Sequence, residues 1–240
     1  MIDIDFVELW KNGPRFAQAE HFKLGTDCVL LADFVNTAGA KNGIDLGCAS
    51  GAIDILLLAK SDKLRMTGLE ILPAAAEVAR CNMAENSFGN RSTIITGDIR
   101  QHRQLFKTGE FDLVVANPPY YPLGSGKLSP DAEKAAARGE VSCTLEDIVT
   151  AAAYLLRTGG TFSLVYKPER LAEAICAMSA HGLEPKRLRA VCHSMRSAPN
   201  LVLLEGKRGA KPGLRIEPQL VLHNEDGTET DEVKRIYHLS

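Results

Sequence analysis

Short apolar segments alternate with helical segments through the first three quarters of this 240-residue chain. Predicted strands cover 43–47, 65–70, 93–96, 111–116 and 161–166, and predicted helices cover 52–60, 73–86, 145–157 and 168–181. Strands that alternate with helices fold as right-handed crossovers in a parallel sheet that is covered on both faces. With two later strands, at 188–193 and 201–207, the sequence predicts an α/β fold with a doubly wound, mostly parallel, seven-stranded Rossmann-like sheet.

The two ends of the chain add smaller features. Asn12-Gly13 between two apolar segments predicts a small N-terminal hairpin, and Thr26 or Asp27 is the expected cap of a helix to about Val35. The short loop 194–200 between the last two strands predicts an antiparallel edge. Since no linker is visible, we expect a single domain over 1–240, with the hairpin and helix in 1–40 and a catalytic core in 41–240.

Composition limits the class of protein. A hydrophobic content of 45% is enough for a full core. The six cysteines never approach a Cys-x-x-Cys spacing, so no metal site is expected, and the setting is expected to be reducing. The most apolar stretch, 53–59, is interrupted by Asp54 and is too short to span a bilayer, so we expect no membrane partner and a cytoplasmic location.

A turn with two glycines follows the first core strand. It reads Asp45-Leu-Gly-Cys-Ala-Ser-Gly51 and leads directly into the predicted helix. Glycine lets the backbone approach a ligand, and a helix N-terminus favours an anionic group. Parallel sheets bind ligands at the carboxyl ends of their strands, where Glu70, Asp98 and Asn117 also fall. Alanine at positions 49 and 52 breaks the dinucleotide pattern Gly-x-Gly-x-x-Gly, so NAD is not expected.

The fourth core strand ends in Asn117-Pro-Pro-Tyr120, a motif suited to gripping a flat conjugated amine. The prolines lack N–H groups and have a fixed φ, so the Pro118 carbonyl is held outward as an acceptor beside the side-chain carbonyl of Asn117. Two acceptors fit two amine hydrogens, and the Tyr120 ring offers a face for an extruded base. The motif predicts N-methylation of a base or an amide, with Asn117, Pro118, Pro119 and Tyr120 as catalytic residues. The alternative is a rigid strand-ending turn with a buried tyrosine.

Charge is unevenly distributed although the net charge is only −2. Between 186 and 215 eight basic residues face a single acid, Glu205, and an acidic tail follows over 217–232. This pattern predicts an oriented polyanion site, with a solvated face as the alternative. The expected RNA contacts are Lys186, Arg187, Arg189, Lys207, Arg208 and Lys211.

The motifs together resemble those of class I S-adenosylmethionine-dependent methyltransferases, in the branch that methylates amines: Asp45-x-Gly-x-x-x-Gly51, Glu70, Gly97-Asp98 and Asn117-Pro-Pro-Tyr120. Three further segments resemble the tRNA(Val) adenine-N6 methyltransferase family: Phe22-Lys-Leu-Gly-Thr-Asp27, Tyr166-Lys-Pro-Glu-Arg-Leu171 and Ala198-Pro-Asn-Leu-Val-Leu-Leu-Glu205. The resemblance covers nearly the whole chain. It implies S-adenosyl-L-methionine as cofactor and, as RNA substrate, an adenine beside the anticodon of a tRNA.

The resemblance also assigns residues to the cofactor. It implies cofactor contacts at Thr26, Asp27, Asp45, Gly47, Cys48, Gly51, Glu70, Ile71, Asp98, Ile99 and Asn117. Within that set, Glu70 would accept from the ribose hydroxyls, Asp98 would bind the adenine amine, and Asp45 with the two glycines would hold the methionine part. Ala49 stands where the family usually has glycine, so its methyl group is expected to reduce the space in which the cofactor approaches the backbone. Arg138 is the expected substrate contact in a segment that departs from the family's Ala-Arg-His-Glu.

Three alternatives to RNA adenine methylation remain at the level of sequence. A glutamine side chain presents the same flat NH2, but the glutamine-methylating relatives carry a helical domain before the cofactor motif, where this chain has about forty residues read as a hairpin and one helix. A nucleotide-binding oxidoreductase is disfavoured by the missing glycines. An inactive RNA-binding module is disfavoured by the intact Asn117-Pro-Pro-Tyr120.

Overall fold

The computed structural model describes residues 5–17, 24–118 and 143–239. At the N-terminus, β1 (Val7–Glu8) pairs with antiparallel β2 (Arg15–Phe16), which confirms the predicted hairpin. Helix α1 (Thr26–Phe34) follows, and its N-cap is Gly25 instead of Thr26 or Asp27.

The remaining strands and helices form the body of the protein. In chain order they are β3 (Asn42–Leu46), α2 (Ala52–Lys60), β4 (Arg65–Glu70), α3 (Pro73–Glu85), β5 (Ser92–Thr96), α4 (His102–Leu105), β6 (Phe111–Ala116), α5 (Leu145–Leu155), β7 (Leu156–Tyr166), α6 (Leu171–Ala180), β8 (Leu183–Cys192), β9 (Pro199–Arg208), β10 (Arg215–Ile216), β11 (Leu220–Val221) and α7 (Asp231–Ile236). Two short 3-10 helices, Ile99–Gln101 and Pro168–Arg170, precede α4 and α6.

Strands β3 to β11 form one main sheet. Its order is β10, β8, β9, β7, β6, β3, β4, β5, and β11 also pairs with β8. Only β9 is antiparallel to its neighbours, β7 and β8, and the other pairings of this sheet are parallel. The predicted mostly parallel sheet is confirmed, but the reversed strand lies inside the sheet because β8, β10 and β11 continue beyond it.

Both faces of the sheet are covered, which explains why β6 is apolar along almost its whole length. Leu113 and Val115 pack into the core formed with α1 and α2, whereas Val114 and Ala116 pack into the core formed with α5 and α6. Among the helices of the described ranges, none has the length and apolar character needed to cross a bilayer.

Several predicted boundaries were wrong. Helix α5 ends at Leu155 rather than at Arg157, because β7 begins at Leu156 and continues through Gly159 and Gly160. The register of β7 against β6 shifts at this point, so the glycines lie in an irregular part of the strand and not in a helix-ending loop. Strand β8 begins at Leu183, five residues before the predicted start.

The parallel strands define two opposite edges. We call the carboxyl edge the one where strands end at Leu46, Glu70, Thr96, Ala116, Tyr166 and Cys192. We call the amino edge the opposite one, where those strands begin and the reversed β9 ends at Arg208.

Candidate functional site

The carboxyl edge brings together the polar residues that were expected to bind ligand. Asp45 lies near the end of β3, Glu70 ends β4, Asp98 lies two residues beyond β5, and Asn117 directly follows β6. Since β3 pairs with both β4 and β6, and β4 pairs with β5, these positions are neighbours across the sheet. The structure thus places all four at one edge.

The turn from β3 into α2 is held by backbone bonds to β4. The N–H groups of Gly47 and Cys48 donate to the Leu69 carbonyl at 2.8 and 3.2 Å. Gly47 and Gly51 have φ of 86° and 78°, a region that glycine adopts without steric cost. A Cβ atom on Gly47 would meet no described heavy atom within 4 Å, whereas one on Gly51 would lie 2.8 Å from Met83 Cε. The backbone at Gly47 is therefore open to a ligand.

Glu70 organises this turn. Its Oε2 accepts from the Ala49 N–H at 2.9 Å, and its Oε1 accepts from the Leu72 N–H at 2.8 Å. Burial raises the pKa of Glu70, while the N–H donors of Leu72 and Ala49 lower it. Ala49 itself lies in the left-handed region with φ of 49°, which costs an alanine roughly 1–2 kcal/mol. Glu70 thus holds a strained alanine in place at the position where glycine was expected.

Asp98 caps the 3-10 helix Ile99–Gln101. Its Oδ1 accepts from the Arg100 N–H at 2.9 Å, and the Arg100 guanidinium also binds the carboxylate. The hydrogen bond from that guanidinium lowers the pKa of Asp98. Ile99, another expected cofactor contact, is partly buried and packs against the core that includes α5. Asp98 is therefore an ionised acceptor at the carboxyl edge.

Helix α1 touches the end of β6 through Cys28. Asn117 Nδ2 donates to Cys28 Sγ at 3.3 Å, which joins α1 to the predicted catalytic turn. Burial raises the pKa of the Cys28 thiol to about 11, and the nearby charges of Asp45 and Asp27 also raise it. Cys28 is therefore a neutral thiol that orients the amide of Asn117. The contact fixes the Nδ2 end of the amide. The side-chain carbonyl at the other end is the group that the sequence predicts to bind the substrate amine.

Asp45 and Asp54 form a carboxyl pair buried behind the turn. Asp45 is 1% exposed, and Asp54, in the first turn of α2, is fully buried. Among the described residues, no hydrogen-bond partner reaches their four oxygens. Burial raises the pKa of both, and the charges of Asp54 and Glu70 raise that of Asp45 further, so Asp45 holds a proton more firmly than Asp54 does.

Sequence reasoning missed the roles of Cys28, Asp54 and Arg100. Asp54 does carry a sequence signal, because it is the charged residue that interrupts the apolar stretch 53–59. Cys28 carries no local signal, since its partner Asn117 lies 89 positions away, whereas Arg100 lies only two residues from its partner Asp98.

The other predicted site residues have mixed outcomes. Thr26 and Asp27 begin α1, the helix that meets Asn117, and Ile71 directly follows Glu70. Pro118 is buried beside Asn117. The remaining three, Pro119, Tyr120 and Arg138, lie outside the described residues.

Two arginines of the basic segment, Arg187 and Arg189, are paired with carboxylates in the folded protein. Arg187 Nη1 donates to Glu205 and its Nε to Glu217, both at 3.0 Å, and the guanidinium lies 4.2 Å from the Phe34 ring centroid. Arg189 donates to both carboxylate oxygens of Glu232 at 2.9 and 2.8 Å. The acidic tail folds back on the basic segment, so these two arginines are committed to the protein's own carboxylates.

The other predicted RNA contacts lie at the amino edge. Lys207 pairs with Glu184 near the start of β8, and Arg208 ends β9. Lys186 Nζ donates to the Lys211 carbonyl at 3.1 Å, which places both residues at the same end. At about 3.3 Å per residue, the length of β8 separates this end from the carboxyl edge by roughly 25–30 Å.

Two cavities also open at the amino edge. One of about 300 Å³ is lined by residues that include Asn42 and Ser92, and one of about 720 Å³ by residues that include Lys41 and Lys60. Asn42 and Ser92 begin strands, and Lys60 ends α2, so the cavities lie at the edge of the sheet opposite Asn117. Neither cavity belongs to the site at the carboxyl edge.

Comparison with known proteins assigns the family. Residues 16–182 match the methyltransferase small domain family. The chain belongs to this family. Its relatives include proteins named tRNA1(Val) (adenine(37)-N6)-methyltransferase. The one from Porphyromonas gingivalis is 31% identical over 223 residues, covering 89% of this chain and 86% of the relative. The one from Escherichia coli O157:H7 is 32% identical over 204 residues, covering 82% of each.

A solved structure supports the fold of this methyltransferase small domain protein. The predicted O-methyltransferase Atu636 from Agrobacterium tumefaciens matches with a TM-score of 0.73 and 22% identity, over 89% of this chain and 96% of that one. At this identity the likeness concerns the fold alone, and it confirms the α/β methyltransferase sheet.

Proposed function

We propose that the protein transfers a methyl group from S-adenosylmethionine to the N6 amine of an adenine in a tRNA, near the anticodon. The observation that carries this proposal is the position of Asn117 at the carboxyl edge, beside the open glycine turn of a methyltransferase small domain protein. The adenine and the tRNA are proposed from the names of relatives that this chain covers over more than four fifths of their length.

The carboxyl edge suits a cofactor that combines a cation with a nucleoside. The acidic group formed by Asp45, Asp54 and Glu70 favours an ammonium or sulfonium ion nearby, and the space beside Gly47 admits the ligand to the backbone. Glu70 would accept from ribose hydroxyls with its remaining lone pairs, and the ionised Asp98 would accept from an adenine amine. S-adenosylmethionine, when bound, supplies an electrophilic methyl group.

Asn117 and Pro118 would prepare the acceptor nitrogen. The lone pair of an exocyclic adenine amine is conjugated into the ring, which makes the nitrogen a weak nucleophile. Accepting its two hydrogens at the Asn117 side-chain carbonyl and the Pro118 carbonyl favours the pyramidal geometry in which the lone pair is available. Positioning and differential hydrogen bonding thus supply the catalysis, and the proton leaves to water after transfer.

Cys28 is bonded to Asn117 but is not suited to act as a base. Its raised pKa keeps the thiol protonated at neutral pH. Its role is to hold the Asn117 amide in one orientation. The stacking role of Tyr120, and those of Pro119 and Arg138, remain proposals from the sequence.

A methyl-transfer assay tests the proposal. Tritiated S-adenosylmethionine is incubated with the protein and either an unmodified tRNA1(Val) transcript or a release factor, and the RNA is digested for nucleoside analysis. We expect label in N6-methyladenosine, and none in a transcript whose target adenine is replaced by guanine. Label in a glutamine of the release factor, with none in RNA, would replace adenine by a protein amide as substrate.

Asn117→Ala serves as the active-site control in that assay. The variant should lose about 3 kcal/mol of transition-state stabilisation, as expected when one preorganised hydrogen-bond partner is removed, while calorimetry shows an unchanged affinity for the methyl donor. Wild-type rates in this variant would contradict the amine grip.

A further inference from the structure

We propose that the RNA strand flanking the target adenine lies across the carboxyl ends of β7, β9 and β8, on a surface formed by Lys167, His193, Met195, Arg196 and His223. We call these five residues the loop surface. The inference rests on the proposed function and adds to it the part of the protein that receives the substrate strand. It replaces the basic segment at the amino edge as the expected RNA contact.

The strand order leaves one direction for the substrate. The expected cofactor residues lie on β3, β4 and β5, and Asn117 follows β6. In the order β8, β9, β7, β6, β3, β4, β5, the cofactor therefore occupies one side of the Asn117 turn. A nucleotide chain that enters that turn must run over the other side, toward β7, β9 and β8.

The loop surface lies on that side at the carboxyl edge. Ala116 pairs with Leu164, and Tyr166 pairs with Val202, so Lys167 emerges just beyond the neighbour of the Asn117 turn. Cys192 pairs with Pro199, which puts the loop 193–198 at the same edge. With strands about 4.8 Å apart, this loop is roughly 15 Å from β6, a distance of a few nucleotides along an extended strand.

The side chains of the loop surface have the chemistry that single-stranded RNA requires. Met195 is 66% exposed although apolar, and the Arg196 side chain is 86% exposed. The His193 and His223 rings lie 4.5 Å apart at the same end. The exposed His193, the half-buried His223 and the polarisable thioether of Met195 can accept unstacked bases, while the Lys167 and Arg196 charges suit phosphates.

The loop is held in shape before any substrate binds. Ser194 and Ser197 join through their hydroxyls at 2.7 Å and through a backbone bond at 3.1 Å. Gln219 Nε2 donates to Met195 Sδ at 3.1 Å, and the His223 N–H donates to the His193 carbonyl at 2.9 Å. A preorganised loop loses little conformational entropy on binding.

Arg196 can exchange its carboxylate partner for a phosphate, whereas Arg187 cannot do so without leaving a buried carboxylate unpaired. Arg196 pairs at 3.0 Å with Glu225, whose side chain is also largely exposed, and such surface pairs contribute little and are screened by salt. Arg187 instead neutralises the buried Glu205. A phosphate can therefore take the place of Glu225 beside Arg196 without leaving a buried charge unpaired.

Two charge-reversal variants with equal charge change test the surface. The first is Lys167→Glu with Arg196→Glu at the carboxyl edge, and the second is Lys207→Glu with Arg208→Glu at the amino edge. Affinity for the tRNA1(Val) transcript is measured by fluorescence anisotropy over a salt series. Binding of the methyl donor and thermal unfolding are measured in parallel to show that each variant is folded.

We expect the carboxyl-edge variant to bind tRNA about tenfold more weakly. Its log-affinity against log-salt slope should be shallower by about 0.7 for each lost phosphate contact to a single-stranded segment. The amino-edge variant should retain wild-type affinity and slope. Met195→Ala should weaken tRNA binding with no change in slope, since it removes an apolar contact and no charge.

The outcomes separate this inference from the proposed function. If the wild type methylates tRNA but the carboxyl-edge variant binds it normally, or if the amino-edge variant loses as much affinity, the loop surface is overturned and the proposed function stands. If the wild type neither binds nor methylates tRNA, the proposed function fails and the loop surface fails with it. If the double variant unfolds, tRNA affinity and its salt dependence are measured on the milder variant Arg196→Gln, and the same outcomes decide between the two inferences.

Discussion

Asp45, near the end of β3, and Asp54, in the first turn of α2, are both buried, and among the described residues neither carboxyl group has a hydrogen-bond partner. Burial raises the pKa of both and the charge of Asp54 raises that of Asp45 further, so joint ionisation of the two groups is disfavoured. The pair therefore titrates as a unit, in two steps that belong to both residues. Glu70 adds a third acidic group, which further disfavours full ionisation.

The pair predicts a loss of stability on the alkaline side. Burial raises the pKa of Asp54 to about 7, above its unfolded value near 4, so the folded state binds more protons than the unfolded state between these values. The contribution is fully present below pH 4 and is lost as the pH rises through 7, by an amount on the order of a few kcal/mol. We expect Asp54→Asn to be more stable than the wild type at pH 8 and less pH-dependent.

Urea unfolding at pH 5, 6.5 and 8 measures this effect. Asp62→Asn, at an exposed position, is the matched control and should follow the wild type. If Asp54→Asn showed the same loss between pH 5 and 8 as the wild type, the raised pKa of Asp54 would be disproved.

The left-handed alanine predicts a stabilising substitution. Ala49→Gly should raise the free energy of unfolding by about 1 kcal/mol, because glycine adopts a φ of 49° without steric cost. Ala84→Gly, on the exposed face of α3, should lower it by about the same amount. Calorimetric titration with the methyl donor gives a second test of this variant. If the alanine methyl group hinders the approach of the cofactor to the backbone, Ala49→Gly should bind the methyl donor more tightly than the wild type.

Local pattern was sufficient wherever a segment and its turn residues agree. The strands at Arg65–Glu70 and Phe111–Ala116 and the helix at Ala52–Lys60 have the predicted bounds, since their apolar residues are flanked by clear breaks. The two-residue strands β10 and β11 have no periodicity to detect. Gly159-Gly160 indicated a break, but the pairing of Leu156 with Phe111 of β6 starts β7 before the glycines.

In the candidate site, too, some residues could be predicted from local pattern and others could not. Asp45, Glu70 and Asn117 were predictable because each ends a strand, and strand ends meet at one edge of a parallel sheet. The ion pairs of Arg187 and Arg189 were not, because their partners lie 30 and 43 positions away in the sequence. Charge counts along a chain do not show which carboxylates fold back onto which guanidinium groups.

Arg187 is therefore predicted to act on stability. Arg187→Gln leaves the Glu205 carboxylate, whose side chain is 8% exposed, without its guanidinium partner. Breaking such a largely buried pair should cost roughly 3 kcal/mol, whereas Arg196→Gln, in an exposed pair, should change stability by less than about 0.5 kcal/mol. Chemical denaturation of both variants measures the difference. Equal stabilities would mean that Arg187 is not a structural residue and would restore it as a candidate RNA contact.

The Asn117 to Cys28 bond predicts a positioning effect on turnover. Cys28→Ala removes the acceptor for Asn117 Nδ2, and a neutral hydrogen bond worth about 1 kcal/mol corresponds to roughly a fivefold fall in kcat. Cys28→Ser should restore most of it, because a hydroxyl also accepts from the amide. Affinity for the methyl donor should be unchanged in both. In single-turnover assays with Asn117→Ala, adding Cys28→Ala should cause no further loss, because the bond is already absent. An independent loss in the double variant would show that Cys28 acts by another route.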